Sequence, residues 1–417
     1  MNIAVAQSGG PTCAINASLL GVFRQATQYE QIETVYGSVN GIEGLIYDNF
    51  VSLNEIIQTD DEIELIRQTP STMLGSCRYK LPDCAKDVGV YETIAANLQK
   101  HGIGAFFYIG GNDSMDTVVK LSGYFKEKGI DIKVLGIPKT IDNDLPCTDH
   151  TPGFGSAAKY VATTMQEIVR DSSVYSVESV TLVEIMGRDT GWLTASTAVL
   201  RANGLDAPHL IYLPEKPFSV ARFLADVRDA MKKHYAVVVA ISEGISLDPA
   251  EISETEQSGK TDVFGHKYLA GVGKTLEKVI VKEIGCKVRS IELNVMQRCA
   301  SHISSKRDIT EAERIGGSAV NAMLQGITGE MMVFHRVQES PYNVRIDHVN
   351  AALVANHVKY FPAEWISEKG NDVTQEAIDY CLPLIQGEQN IRYKNGIPQH
   401  YILPCALPHV TVKNKKK

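Results

Sequence analysis

A parallel α/β architecture is what this sequence predicts, and three observations predict it. Short apolar runs alternate with stretches of helical periodicity from the first residues onward, the pattern of strands buried on both faces and joined by crossover helices. Two of these runs, Ala105-Phe106-Phe107-Tyr108-Ile109 and Val134-Leu135-Gly136-Ile137, lead straight into polar turns, Gly110-Gly111-Asn112-Asp113-Ser114 and Pro138-Lys139-Thr140-Ile141-Asp142-Asn143-Asp144. On a parallel sheet both turns fall at the carboxyl edge, where open α/β proteins hold their ligands. The length, 417 residues, exceeds one ordinary domain, so two lobes sharing a cleft are expected.

From the start of the chain, Ile3-Ala4-Val5-Ala6 reads as a strand, Ser8-Gly9-Gly10-Pro11-Thr12 as a turn, and residues 16–26 as a helix with Leu19, Leu20, Val22 and Phe23 on its apolar face. Strand, paired glycines and helix start together aim backbone N–H groups and a positive helix end at an anion. The same residues equally make a tight turn with no ligand, since they form neither a G-x-G-x-x-G nor a Walker loop. Tyr36 to Leu45 carries Gly37, Gly41 and Gly44 and is expected to be a loop bending round a site edge. Leu74-Gly75-Ser76-Cys77-Arg78 sets an arginine just past a glycine turn. Alone it is a surface cation; beside a phosphate site it is a fork for oxygens.

Residues 90–100 are expected to be helical, Thr151 to Ser156 to cross into a second lobe, and residues 157–170 to form a long helix. Strands Val180–Ile185 and Ala236–Ile241 end in Met186-Gly187-Arg188-Asp189-Thr190-Gly191 and Ser242-Glu243-Gly244. Twice an apolar strand delivers a charged residue beside glycine at its carboxyl end, which favours a site over a solvated face.

Composition excludes several classes. With 44% apolar residues, 22% charged residues and a net charge of -8, the chain lacks the basic surface that nucleic acid requires. The one basic run, Lys413-Asn414-Lys415-Lys416-Lys417, reads as a solvated tail. Met1 leads straight into a strand, so no signal peptide is expected, and no apolar run approaches the roughly 18 residues of a membrane span. The eight cysteines form no C-x-x-C pair and the eleven histidines no metal-ligand spacing. Reduced thiols in a cytoplasm, and no structural zinc, are the expectation.

The pieces Ser8-Gly9-Gly10, Gly75-Ser76-Cys77-Arg78, Gly110-Gly111-Asn112-Asp113-Ser114, Pro138 to Asp144, Met186-Gly187-Arg188, Ser242-Glu243-Gly244 and Val295-Met296-Gln297-Arg298 occur in the order and spacing of the 6-phosphofructokinase family. The resemblance runs from residue 1 to residue 350 or so, and Trp365-Ile366 and Pro383-Leu384-Ile385-Gln386-Gly387 resemble the tail of longer, pyrophosphate-using members. It implies two Rossmann-like lobes with mainly parallel sheets and the active site in the cleft between them. The donor-binding lobe would comprise residues 1–153 plus about 297–350, and the sugar-phosphate lobe residues 154–296 plus about 351–417. The implied reaction is reversible transfer from pyrophosphate to the 1-hydroxyl of fructose 6-phosphate, giving fructose 1,6-bisphosphate, by a cytoplasmic homo-oligomer of dimer or tetramer form that uses Mg2+.

Position by position, the resemblance implies that Asp142 is the general base and that Thr140 orients the sugar hydroxyl. It implies sugar-phosphate contacts from Ile141, Met186, Gly187, Arg188, Glu243, Arg289 and Arg298, donor contacts from Gly10 and Arg78, and metal contacts from Asn112 and Asp144. These types suit phosphoryl transfer, which needs positioning and charge neutralisation rather than covalent help. ATP-using members carry glycine where this chain has Asp113 and Lys139; pyrophosphate-using members resemble it at both. A carboxylate at Asp113 would meet the α-phosphate of ATP, and like charges about 4 Å apart repel by roughly 4 kcal/mol at an effective dielectric of about 20. Lys139 would neutralise the departing phosphate.

This chain departs from relatives at four places. Asn112 stands where many have a magnesium-contacting aspartate, and an amide oxygen is the poorer ligand for a hard cation. Ser179, or its neighbour Glu178, falls where relatives send an arginine across a subunit interface. Val295 replaces a histidine or tyrosine of the sugar pocket, and Leu20 an arginine of the allosteric bacterial enzymes. The alternatives are an ATP-dependent 6-phosphofructokinase and a catalytically silent regulatory paralogue. A dinucleotide-binding dehydrogenase would need a G-x-G-x-x-G with its acidic ribose partner, which the sequence lacks.

Overall fold

The computed structural model describes residues 1–248 and 271–403; the terminal lysine run and Cys405 lie outside them. In chain order the strands are β1 (Asn2–Gln7), β2 (Val35–Ser38), β3 (Phe50–Ser52), β4 (Ile103–Gly110), β5 (Lys133–Pro138), β6 (Ser179–Ile185), β7 (Leu210–Tyr212), β8 (Ala236–Ser242), β9 (Lys287–Glu292), β10 (Glu330–Glu339) and β11 (Tyr342–Asn350), before a short β12–β13 pair at Tyr393–Lys394 and Ile397–Pro398. One sheet runs β11-β10-β5-β4-β1-β2-β3 and a second β7-β8-β6-β9. In the first, β10, β5, β4, β1 and β2 are parallel, with antiparallel β11 and β3 at the edges. The second is parallel throughout.

The side chains of the first sheet divide with the period of two that a strand imposes. Ile3, Val5, Phe107, Ile109, Leu135 and Ile137 enter one core with residues of helices Ile15–Ala26 and Lys306–Leu324. Ala4, Ala6, Phe106, Tyr108 and Val134 enter the opposite core with helices Val88–Lys100 and Asn112–Lys128. Burial on both faces is why these strands read as continuous apolar runs. On the second sheet Val183, Ile185, Val238 and Ala240 pack against helix Phe154–Ser172 and the segment bearing Phe361, Ala377 and Leu384. Val180, Leu182, Val237, Val239 and Ile241 pack against helices Val220–Met231 and Val272–Glu283.

Helix starts lie earlier than periodicity indicates, because polar side chains extend them. The Thr12 hydroxyl accepts from Ile15 N–H at 3.0 Å, and the Asp87 carboxylate from Val90 N–H at 3.4 Å. The long helix begins at Phe154 because the buried Asp308 carboxylate accepts from Gly153 N–H at 2.9 Å and Ser156 N–H at 3.0 Å. Tyr36 to Leu45 is not the expected loop: it supplies most of β2, a turn, and part of the short helix Ile42–Ile46. Gly37 serves packing there, since a Cβ would stand 2.7 Å from Leu74 Cδ2.

A buried charged group lies beside β10. His150 lies between Asp149 and Glu311, its ring nitrogens 2.9 Å from each carboxylate, and stacks on Phe334 at 4.6 Å. Burial alone would lower its pKa, but the hydrogen bonds to Asp149 and Glu311 outweigh it and raise the value to about 9. The folded value thus exceeds that of unfolded histidine, about 6.5. The stabilisation is complete below about pH 6.5 and disappears as pH rises through about 9. His150→Ala should remove about 3–5 kcal/mol by leaving the buried Glu311 carboxylate without its cation, while Asp149 keeps Arg336 at 3.1 Å. Urea unfolding at pH 6 and pH 9.5 checks this: the loss should be large at the lower pH and much smaller at the higher.

Candidate active site

The carboxyl ends of β1, β4 and β5 meet the carboxyl ends of β6 and β8 across a cleft of about 510 Å³ lined by Ser8, Gly9, Gly10, Arg78, Asp113 and Ser114 from one lobe and Arg188 from the other. Helix Asn112–Lys128 starts at this edge with Gly111 before it and no side-chain cap, so its positive end is offered to an anion. Lys139, at the end of β5, is 2% exposed. It donates to the Gly10 carbonyl at 2.8 Å. A Cβ built on Gly9 would lie 3.2 Å from Lys139 Nζ, and one on Gly10 3.4 Å from Arg298 Nη1. The paired glycines therefore leave room for two cations beside the β1 turn.

The turn that carries Thr140 and Asp142 is tied on both sides by its backbone. Asp142 N–H donates to Thr140 Oγ1 at 3.1 Å, and the Asp142 carbonyl accepts from the Thr190 hydroxyl at 3.0 Å. The Asp142 carboxyl is raised to about 7 by burial first, then by the nearby charges of Asp144 and Glu243, with Lys139 opposing them. Burial likewise raises Asp144, whose Oδ1 is enclosed without a hydrogen-bond partner among the described residues. Burial lowers Lys139 to about 8 against the pull of Asp142 and Asp144, with Arg298 adding to the fall. A carboxyl and an ammonium both brought near neutrality, each within reach of the other's charge, are what proton transfer and charge neutralisation need.

On the opposite wall, Glu243 accepts from Gly187 N–H at 3.3 Å and is raised chiefly by burial. The Gly187 carbonyl accepts from Ser242 at 2.7 Å. Gly244 is needed for this close approach, because a Cβ there would stand 2.8 Å from the Gly187 carbonyl oxygen. Met186 N–H donates to the buried Gln297 at 3.3 Å, which fixes Arg298 beside Gly10.

Three of the residues singled out from sequence are placed differently. Ile141 is 7% exposed and its side chain belongs to the core of the second sheet. Arg289, on β9, is exposed and pairs with Asp171 at 3.2 Å; it lines a separate depression with Tyr175 and Lys287. Asn112 does not turn to Asp144: its amide oxygen accepts from Asn356 N–H and its nitrogen donates to the carbonyls of Val354, at 3.3 Å, and His357. That amide joins the helix start to a later segment. Asp113 is 81% exposed at its side chain and pairs with Lys80 at 3.4 Å. Lys80 carries no motif signal in the sequence although it lies just past Arg78, and Thr190 and Asn143 stand out there only as parts of motifs.

Fold and cleft together define an α/β protein that holds anions between the edges of two sheets. The phosphofructokinase family matches residues 2–323. The chain is 38% identical over 417 residues to the pyrophosphate–fructose 6-phosphate 1-phosphotransferase of Xanthomonas campestris pv. campestris, covering 99% of this chain and 98% of the relative. It is 37% identical over 401 residues to the enzyme of the same name from Halomonas elongata, covering 95% of each. The crystal structure of the pyrophosphate-dependent phosphofructokinase from Marinobacter aquaeolei superposes with a TM-score of 0.84 at 35% identity, covering 96% of this chain and 95% of that one. The chain belongs to the phosphofructokinase family. No helix among the described residues is long and apolar enough to cross a membrane.

Proposed function

We propose that this chain transfers a phosphoryl group from pyrophosphate to the 1-hydroxyl of fructose 6-phosphate, reversibly, giving fructose 1,6-bisphosphate and phosphate. The observation that carries the reading is the juxtaposition of Lys139 and Arg298 at the β1 glycines with the Asp142 carboxyl, whose pKa stands near neutrality. In this reading Gly10 and Arg78 meet the donor, and Arg188, Glu243 and Arg298 hold the sugar phosphate with Met186 and Gly187. As the sugar oxygen bonds to phosphorus, its proton passes to Asp142. The bond to the leaving phosphate breaks, and the Lys139 ammonium balances the charge released there. The lobe of the first sheet is then the donor side, and that of the second sheet the sugar side.

Magnesium suits this arrangement. Among the described residues there is no cluster of three His, Cys, Asp or Glu for an all-protein cage, but Asp144 Oδ1 is an unpartnered hard donor. One carboxylate plus substrate phosphates is how Mg2+ is commonly held; when bound, the ion would offset pyrophosphate charge. Asn112 has no part in that set, because its oxygen is taken by Asn356. The exposed face around Arg289, Tyr175 and Val177 is where a second copy would dock in a cytoplasmic homo-oligomer.

A coupled assay comparing pyrophosphate with ATP, and the bisphosphate plus phosphate in reverse, tests the reading. Turnover with ATP alone, or no formation of pyrophosphate, would overturn it. The pH profile gives a second check. Lys139 is protonated below its value of about 8 and neutral above it, so kcat/KM for pyrophosphate should fall as pH rises through about 8. Bound pyrophosphate stabilises the ammonium, so the same limb in kcat should lie at higher pH. Lys139→Arg, charged throughout that range, should lack the limb.

A further inference from the structure

The catalytic turn is held from behind by side chains far along the chain. Asn143, between Asp142 and Asp144, is fully buried and takes a φ of 54°, a left-handed conformation that a non-glycine residue keeps only when its surroundings fix it. Its amide is fixed at both ends: Nδ2 donates to the Tyr380 hydroxyl at 2.8 Å, and Oδ1 accepts from Lys359 Nζ at 3.2 Å. Tyr380 in turn donates to the Asp149 carbonyl at 2.6 Å.

Lys359 places its donors on this turn and on the stretch that leaves it. Its ammonium also reaches the carbonyls of Thr148 at 3.2 Å and Asp149 at 2.8 Å, and its backbone N–H donates to the Asp144 carbonyl at 2.7 Å. Trp192, next to the Met186–Gly191 loop, closes the arrangement: its indole N–H donates to the Lys359 carbonyl at 3.2 Å, and its ring lies 5.0 Å from the ammonium. The segment bearing Lys359 is the one that Asn112 grips through Val354, Asn356 and His357. One stretch of chain thus touches the donor turn at one end and the catalytic turn at the other. An ammonium removed from water is costly, and an apolar side chain would fill the same space. The charge is kept where its hydrogen bonds, stronger than neutral ones, go to the asparagine between Asp142 and Asp144 and to the carbonyls of the stretch that leaves their turn.

We propose that Lys359 is a positioning residue for phosphoryl transfer: acting through Asn143 and the carbonyls of residues 144, 148 and 149, with Tyr380 as its partner, it sets where the two carboxylates stand against the donor turn. The inference rests on the reading of Asp142 as the general base. Neither Lys359 nor Tyr380 lines the cleft, so their loss should appear in turnover rather than in binding. A misplacement of about 1 Å costs on the order of 100-fold in rate.

The experiment is steady-state kinetics of the full-length enzyme with pyrophosphate and fructose 6-phosphate, alongside melting temperatures, for the wild type, Lys359→Met, Tyr380→Phe and the Lys359→Met/Tyr380→Phe pair. Lys359→Met should lower kcat about 100-fold with both KM values within about threefold. Tyr380→Phe, which removes one oxygen, should lower kcat about five- to tenfold, and the pair should lose less than the product of the singles because both act through Asn143. A lowered melting temperature with unchanged kcat, or a loss carried by KM, would overturn the proposal. If Lys359→Met does not fold, Tyr380→Phe decides by the same criterion. A wild type without pyrophosphate-dependent turnover sinks the functional reading and this inference with it, whereas an active wild type with unaffected variants sinks the positioning role alone.

Discussion

Asp142→Ser is expected to lower kcat by about 10²–10⁴-fold with KM for fructose 6-phosphate largely kept. The turn should survive the change, because its position depends on backbone groups: Asp142 N–H donates to Thr140 and the carbonyl accepts from Thr190, neither of which needs the carboxylate. Arg188, Glu243 and Arg298, the proposed sugar-side groups, are untouched. Serine also relieves the crowding of negative groups that, after burial, raises the Asp142 pKa, so the melting temperature should hold or rise, as is common when a strained functional group is removed. Kinetics in both directions and a melting curve test this together. An equal loss in binding and turnover would make Asp142 a structural residue.

How much of this was legible in the sequence follows from where each signal is stored. Strands β1, β4, β5, β6 and β8 were readable because both faces of each are covered, which forces an apolar run, and because each ends in a turn whose glycines or charges interrupt it. The residues at those ends, Gly10, Lys139, Asp142, Arg188 and Glu243, were legible for the same reason. Helix starts were misread where the capping group comes from a distant element, as with Asp308 at Phe154. Local sequence does not contain that partner. Asn112 illustrates the harder case. Its place in the motif suggested a metal contact, yet its amide is engaged by residues 354–357, a segment with no local pattern pointing back to the donor turn. Lys359 was invisible for that reason: a single lysine in a polar stretch reads as solvated until the fold closes over it.

Donor choice should prove asymmetric between Asp113 and Lys139. Lys139→Gly should reduce kcat/KM for pyrophosphate strongly, because a buried ammonium at the Gly10 carbonyl acts in a low-dielectric site where charge neutralisation is worth most, and it should not admit ATP. Asp113→Gly should do less than its place in the motif suggests. The carboxylate is 81% exposed and paired with Lys80 at 3.4 Å, so its repulsion of a third phosphate is screened from roughly 4 kcal/mol at a dielectric of about 20 towards about 1 kcal/mol in water. The expected gain in kcat/KM for ATP is therefore about five- to tenfold, not a thousandfold, and activity with pyrophosphate should fall modestly as Lys80 loses its partner. Asp116, one helical turn on, offers no second gate, since it pairs with Lys120 at 2.6 Å and accepts from Asn356 at 3.3 Å. The decisive measurement is kcat/KM for both donors in the wild type, the two single variants and the double variant, where adjacency makes non-additive effects expected. A gain of a thousandfold with ATP in Asp113→Gly would mean that the carboxylate leaves Lys80 and turns into the cleft when donor binds. No gain at all would mean that the nucleotide is excluded by the shape of the cleft, and the two-residue account of donor choice would have to be dropped.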